Sequence, residues 1–155
     1  MRFRITGLSP EFFGHLFGLP DELLARHGVR RCIADRKPGY PDRIEVRDAE
    51  PGERLLLLNY VHQPAATPYR ASHAIFVREH AARRYDRIDQ IPEALRLRLI
   101  SLRAFDDRDE MIDGAVFDGA ELETGIEAMF ADPAARYLHA HYASRGCYAA
   151  RVDRA

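Results

Sequence analysis

The stretch PGYPDRIEVRDAEPGERLLLLNYVHQPAATPYRASHAIFVREH, residues 38–80, contains the clearest β pattern of the chain and its densest group of candidate binding residues. In it, Ile44 and Val46 alternate with charged residues, and this period of two predicts a half-buried strand. Residues 48–53 include a Pro-Gly pair that favours a tight reversal. The apolar run of residues 55–58 then predicts a strand covered on both faces.

The second half of the stretch predicts the end of that strand, a loop and a further strand. Alternation places Tyr60 and His62 on one side of the first strand. Two prolines within residues 63–68 are unsuited to a sheet, so we expect a surface loop there, where binding groups are common. The loop leads to Tyr69-Arg70, and the next strand is expected over residues 73–78.

The segments before this stretch combine short strands and short helices. Strands are expected over residues 3–5 and 29–34. Ser9 followed by Pro10 is typical of a helix start. Apolar residues then recur at helical spacing, namely Phe12, Phe13, Leu16 and Phe17. A second short helix, beginning at Pro20, is expected to end at Gly28.

The segments after this stretch complete the fold prediction. Residues 81–90 are polar and are expected to form loop with some helix, and strands are predicted over residues 99–105, 111–117, 136–143 and 147–152. Leu122, Ile126, Met129 and Phe130 mark one face of an amphipathic helix, and residues 144–146 fit a three-residue hairpin loop. The sum predicts an α+β fold. Its sheet is largely antiparallel, with short N-terminal helices and one amphipathic helix before a C-terminal β-hairpin.

Length and composition limit the classes of function. A chain of 155 residues is expected to form one domain over residues 1–155. The formal net charge of −1 does not favour nucleic acid as a partner. The N-terminus lacks the apolar core of a secretory signal and no run is long enough for a membrane span, so we expect a cytoplasmic protein. Its two cysteines, Cys32 and Cys147, would then be reduced.

Arginine, tyrosine and histidine side chains suggest a pocket for a small anionic molecule. Two guanidinium groups, from Arg43 and Arg70, together with the Tyr69 phenol would suit a carboxylate or phosphate. Each arginine alone could equally tie its own loop to backbone carbonyls. Three histidines complete the predicted pocket and are the candidates for acid/base catalysis: His62, His139 and His141. The sequence specifies no cofactor, and whether the protein is an enzyme stays open.

Two other functions remain as alternatives. His139 and His141 are two residues apart on a predicted strand, so both imidazoles could reach one metal ion, with His62 or His73 as a third ligand. The other alternative is an interaction module or homodimer, in which a free strand edge, such as that of the C-terminal hairpin, pairs with a second copy or a partner. Catalysis through Cys147 with a nearby histidine is a weaker candidate, because lone cysteines are more often small buried hydrophobes.

Several short motifs in a fixed order resemble a bacterial family known as domain of unknown function 1203. They are Pro38-Gly39-Tyr40-Pro41 with Arg43, Pro51-Gly52-Glu53, Pro68-Tyr69-Arg70-Ala71-Ser72, Ile75-Phe76-Val77-Arg78 and Gly146-Cys147-Tyr148. The resemblance covers nearly the whole chain and implies one small domain with no established activity. It also implies two departures, because the family pattern has cysteine at the position of Asp42 and Gly-Pro at His73-Ala74. If relatives use that cysteine together with the one at Cys147, this chain does not.

Overall fold

Nine strands form two antiparallel sheets in the computed structural model, which describes all 155 residues. The strands are β1 (Phe3–Thr6), β2 (Arg30–Ile33), β3 (Arg54–Gln63), β4 (Ala71–Arg78), β5 (Asp86–Ile88), β6 (Leu99–Phe105), β7 (Met111–Asp118), β8 (Tyr137–Tyr142) and β9 (Cys147–Arg154). The large sheet has the order β5-β1-β9-β8-β6-β7 and the small sheet the order β2-β3-β4. The predicted α+β class, largely antiparallel with a C-terminal hairpin, is confirmed.

Three α-helices are short, and each sits next to a strand. They are α1 (Asp21–Arg26), α2 (Glu93–Arg96) and α3 (Leu122–Phe130). The apolar face of α3 packs on the large sheet, where Ile126 and Phe130 join one core cluster with Leu102, Leu138 and Val152. No helix has the length and apolar character needed to cross a bilayer. Helix α3, which the sequence predicts as an amphipathic helix, covers one face of the large sheet.

The small sheet packs on the opposite face of the C-terminal hairpin. Leu58 of β3 and Ile75 of β4 lie in a second core cluster that includes Tyr148 of β9. The same cluster contains Phe13 and Leu24 from the N-terminal segment. The molecule is therefore layered. In order, the layers are helix α3, the large sheet, the small sheet and the N-terminal segment. Strands β8 and β9 are therefore covered on both faces.

The N-terminal helix predicted around residues 12–17 is instead two 3₁₀ turns, Pro10–Phe12 and Gly14–Leu16. Gly14 stands where the helix would continue, and glycine is unfavourable in a helix interior by about 1 kcal/mol relative to alanine. Ser9 does cap the first turn, accepting a hydrogen bond from the Glu11 amide at 3.3 Å. The prediction that a second helix stops before Gly28 is confirmed, and Gly28 has the left-handed φ of +71°.

The strand predicted from the alternation of Ile44 and Val46 is wrong. Both residues are buried, but the segment is a folded loop in which Val46 has a φ of +51°. The Asp42 carboxylate causes the fold of this loop, since it accepts hydrogen bonds from the Glu45 and Arg78 amides, each at 2.6 Å. Alternating burial therefore arises here from a side-chain–backbone turn, which gives the same sequence pattern as a strand.

Three smaller predictions near the sheet edges also differ. The polar segment of residues 81–90 contains strand β5, which pairs with β1. The hairpin between β8 and β9 pairs Tyr142 with Cys147, so its loop has four residues rather than three, although Gly146 has the predicted left-handed φ, +76°. Because both hairpin strands lie inside the large sheet, the expectation that they offer a pairing edge is wrong, and the outer strands are β5 and β7.

Asp42→Ala is expected to lower the free energy of unfolding by about 2–4 kcal/mol, because two backbone amides lose the buried carboxylate that accepts their hydrogen bonds. Asp42→Asn should cost less, since an amide oxygen still accepts one of the two hydrogen bonds. Urea unfolding followed by circular dichroism measures both. Asp35→Ala is the matched control, an exposed carboxylate bonded to Tyr40 at the surface. Equal stability of Asp42→Ala and the control would contradict the role of this carboxylate.

Candidate functional site

Strand β8 places two histidines on the face of the large sheet that meets the small sheet. Every residue of β8 is buried, and Leu138 and Ala140 belong to the cluster under α3. His139 and His141 alternate with them and so point away from α3. A bulge between Ala140 and His141 changes the pairing, and His141 lies opposite Tyr148 of β9.

Strand β3 brings a third histidine to the same place. The ring of His62 lies 4.9 Å from the ring of His141 and 5.8 Å from that of His139, centre to centre. It also stacks on the Tyr148 ring at 5.3 Å, with the two planes within 8° of parallel. The middle of the chain and the C-terminal hairpin therefore meet, and their imidazoles face one another.

Strand β4 adds the fourth member of what we call the histidine cluster, His62, His73, His139 and His141. His73 pairs with Tyr60 on β3, just before a bulge that shifts the register between Val61 and Gln63. Nε2 of His62 and Nδ1 of His73 are 2.9 Å apart, within hydrogen-bonding distance. His73 is only half buried, so it forms the side of the cluster that solvent reaches.

The proton on His141 can be assigned from its partner. Nδ1 of His141 lies 2.9 Å from the carbonyl oxygen of Gly146. A carbonyl only accepts, so Nδ1 carries the hydrogen and Nε2 carries a free lone pair. Nε2 is buried and has no hydrogen-bond partner, in a residue that is 0% exposed. A histidine that donates Nδ1–H to a backbone carbonyl is the usual arrangement when the other nitrogen binds a metal.

Three of the four histidines are spaced for a shared metal ion. One ring nitrogen from each of His62, His73 and His141 lies within 4.8 Å of the other two. Ligation at Zn–N distances of about 2.0–2.1 Å would require these nitrogens to approach one another by roughly 1 Å, which side-chain rotation can supply. His139 stands beside this group, its ring 6.2 Å from that of His141.

Burial keeps the cluster histidines neutral. Desolvation, aided by the neighbouring His73 and Arg103, lowers the pKa of His62 to about 4. Desolvation is also the main reason that the pKa of His139 falls to about 3 and that of His141 to about 2. Neutral imidazole is the form that ligates metals, so the deprotonated state needed for ligation is already present at neutral pH.

Two side chains next to the cluster were not predicted from the sequence as part of the site. Tyr148 forms one wall, with its ring 5.7 Å from that of His141. Arg103 of β6 pairs directly with His139. The alternation of buried Leu102 and Ala104 in β6 is the signal that puts Arg103 on the opposite face, but only the strand order shows that this face carries the histidines.

Arg43, Tyr69 and Arg70 make other contacts. The Arg43 guanidinium is buried and donates to the carbonyls of Pro41 and Tyr148 and to Sγ of Cys147. Arg70 is exposed and donates to the Pro64 carbonyl at 2.7 Å, within its own loop. Tyr69 is 37% exposed in the same loop, and its amide donates to Thr67. None of the hydrogen bonds of these three residues reaches a histidine.

Two surface clefts lie away from the histidine cluster. One, of about 390 Å³, is lined mainly by apolar residues of the N-terminal segment and β3, and includes His15 and His27. The other, of about 250 Å³, lies between the loop around Asp48 and helix α2. Neither contains a buried polar group without a partner. The histidine cluster, in contrast, contains three buried ring nitrogens without a partner.

Arg43→Ala is expected to destabilise the fold by about 2–4 kcal/mol, because buried carbonyls lose charged hydrogen bonds. Arg70→Ala is the matched control and should change stability by less than about 0.5 kcal/mol, as exposed substitutions generally do. Chemical denaturation of both variants gives the comparison. Similar midpoints for the two would show that Arg43 does not hold the segment around it.

Acid is expected to destabilise the protein from about pH 6.5 downwards. The cluster histidines have lowered pKa values in the folded state, so between pH 6.5 and about 4 the unfolded chain binds protons that the folded chain does not. Each such histidine reduces the free energy of unfolding by up to about 1.4 kcal/mol per pH unit. Urea unfolding of metal-free protein at pH 7.5, 6.5 and 5.5 measures the slope before carboxylates titrate. The double variant His15→Ala/His27→Ala should keep that slope, and a flat profile would contradict the assignment.

The family to which the chain belongs follows from a comparison with known proteins. No curated protein and no solved structure matches the sequence. A family model described as "Protein of unknown function (DUF1203)" matches residues 39–154, which include both sheets' central strands and all four histidines of the cluster. The match covers about three quarters of the chain, and the protein is a member of the DUF1203 family.

Proposed function

We propose that this protein binds a divalent transition-metal ion such as Zn²⁺ through His62, His73 and His141. One observation carries the proposal, the buried and unpartnered Nε2 of His141, whose lone pair is fixed by the Nδ1 hydrogen bond to Gly146. Two further imidazoles lie within reach of the same point. Imidazole nitrogen is a donor that suits zinc, copper, iron and nickel.

The energetics of the cluster support a ligand more than simple core packing. A buried polar atom without a partner costs about 1–3 kcal/mol. The cluster contains three such atoms, Nδ1 of His62, Nδ1 of His139 and Nε2 of His141. Apolar side chains of similar size would pack between the sheets without this cost. A metal ion bonded to Nε2 of His141 compensates directly for one of the three.

Three protein ligands leave a coordination position for water or a small ligand. Zinc enzymes with this ligand count use the open position for chemistry, and zinc-bound water has a pKa near 7. In this chain the half-buried His73 marks the side from which water can approach. His139 borders the three ligands without belonging to them. The reaction class that the arrangement supports best is metal-assisted activation of a water molecule.

The metal function is favoured over the pocket predicted around Arg43 and Arg70. Arg43 donates from each of its three guanidinium nitrogens, to two backbone carbonyls and to Cys147. Arg70 faces solvent from a different loop. The histidines of that predicted pocket do converge, and they carry the metal proposal in its place.

The test is metal binding by protein purified without an affinity tag. Isothermal titration calorimetry with Zn²⁺, and Co²⁺ absorption spectra as a report of coordination, are expected to show one ion per chain. His73→Ala is the most informative variant because its half-exposed side chain can be removed with little effect on the core. It should weaken binding by about 100-fold or more, beyond the 10–100-fold typical of changing an outer partner of a ligand.

The double variant His15→Ala/His27→Ala is the matched control, since it removes two exposed imidazoles that lie near each other but outside the cluster. It should bind the ion as the natural sequence does. Binding that survives His73→Ala and disappears in the control would place the site elsewhere, and no binding to the natural sequence would refute the proposal.

A further inference from the structure

Arg103 stands out among the arginines because nothing in the protein neutralises or binds it. Among the arginines that are buried or partly buried, it is the only one that has neither a side-chain hydrogen bond nor an ion pair. Its neighbours on the same sheet face are committed, as Arg151 is held by Asp153 at 2.7 Å. Desolvation lowers the pKa of Arg103, so the guanidinium is partly withdrawn from water without a compensating partner.

Strand register places Arg103 against the histidine cluster. It pairs with His139 on one side and with Gly114 of β7 on the other. Gly114 has no side chain, and a Cβ built there would meet nothing nearer than the Leu102 carbonyl oxygen at 3.8 Å. Space is therefore available beside the guanidinium on the face that carries the histidines.

This side of the cluster is open to solvent. The small sheet covers β8 and β9, but the same face is exposed at Leu99 of β6, by 57%, and at Val116 of β7, by 59%. The positive charge of Arg103 is close enough to lower the pKa of each of the four cluster histidines. A small molecule entering over β6 would reach the guanidinium and the half-exposed His73 together.

We propose that Arg103 binds the oxyanion group of a small ligand, a carboxylate or a phosphate, while the ligand lies against the metal ion held by His62, His73 and His141. The inference rests on the proposed metal site and names the class of molecule that site takes. A planar guanidinium presents parallel N–H donors that match two oxygens of such a group. Because no acidic side chain satisfies Arg103, its fork is free for the ligand.

The experiment measures anion binding separately from metal binding. Calorimetric titrations with acetate and with inorganic phosphate are made on the natural sequence, on Arg103→Met and on Arg108→Met, each with and without one equivalent of Co²⁺. Arg108→Met is the matched control, since that side chain is an exposed arginine on the β6–β7 turn. We expect Arg103→Met to bind the anion at least 10-fold more weakly, to keep its Co²⁺ affinity, and Arg108→Met to behave as the natural sequence.

Each outcome has a distinct meaning. The probe that binds more tightly assigns the oxyanion as carboxylate or phosphate. An anion that binds the natural sequence and Arg103→Met equally, or binds neither, overturns the assignment of Arg103 even when Co²⁺ binds. Absence of Co²⁺ binding refutes the metal site alone. In that case anion affinity that is still lost in Arg103→Met leaves the oxyanion role of Arg103 intact.

Discussion

The histidine cluster depends on how the small sheet is held against the C-terminal hairpin, and Arg43 makes the central connection. Its guanidinium joins the loop before β3 to β9 through the carbonyl of Tyr148 at 2.8 Å. It also lies over the ring of Tyr142, 5.0 Å from the ring centre. No carboxylate pairs with this buried cation, so backbone carbonyls and an aromatic face compensate for its desolvation. The Tyr148 ring also stacks on the ring of His62, which belongs to the small sheet, so Arg43 and this stacked pair hold the two sheets together.

Sequence patterns predicted the fold wherever burial followed a single backbone period. The alternation in β8 correctly separated His139 and His141 from Leu138 and Ala140. The same reasoning failed at Ile44 and Val46, because the Asp42 side chain bends the backbone there and buries both residues without a sheet. A periodic pattern shows which side chains are buried but not the backbone conformation that buries them. A turn held by a side-chain hydrogen bond can give the same pattern as a strand.

The candidate site was only partly predictable, because the pairing of strands that are distant in the sequence cannot be inferred from any one segment. His62, His139 and His141 were identifiable as functional candidates, and His73 as a third ligand, since their residue type carries the chemistry. Their convergence needed the order β8 next to β9 and the packing of β3 upon them. Alternation in β6 assigns Arg103 to one face of its strand, but nothing in the sequence separates it from the many other arginines of the chain. What distinguishes it is a missing partner, which is visible only once the partners of the other arginines are known.

A buried group of histidines with unpartnered nitrogens reduces the stability of the metal-free fold, and this links the site to the folding of the protein. Because the ligands come from β3, β4 and β8, they belong to both sheets. An ion that binds only the folded chain adds RT ln(1 + [L]/Kd) to its stability, about 2.7 kcal/mol at a free concentration of 100 Kd. The ion would therefore stabilise the contact between the sheets as well as provide chemistry, at the boundary that Arg43 also holds. Since both attachments act on the same boundary, a loosened Arg43 contact would raise the Kd for the ion as well as lower the stability of the fold.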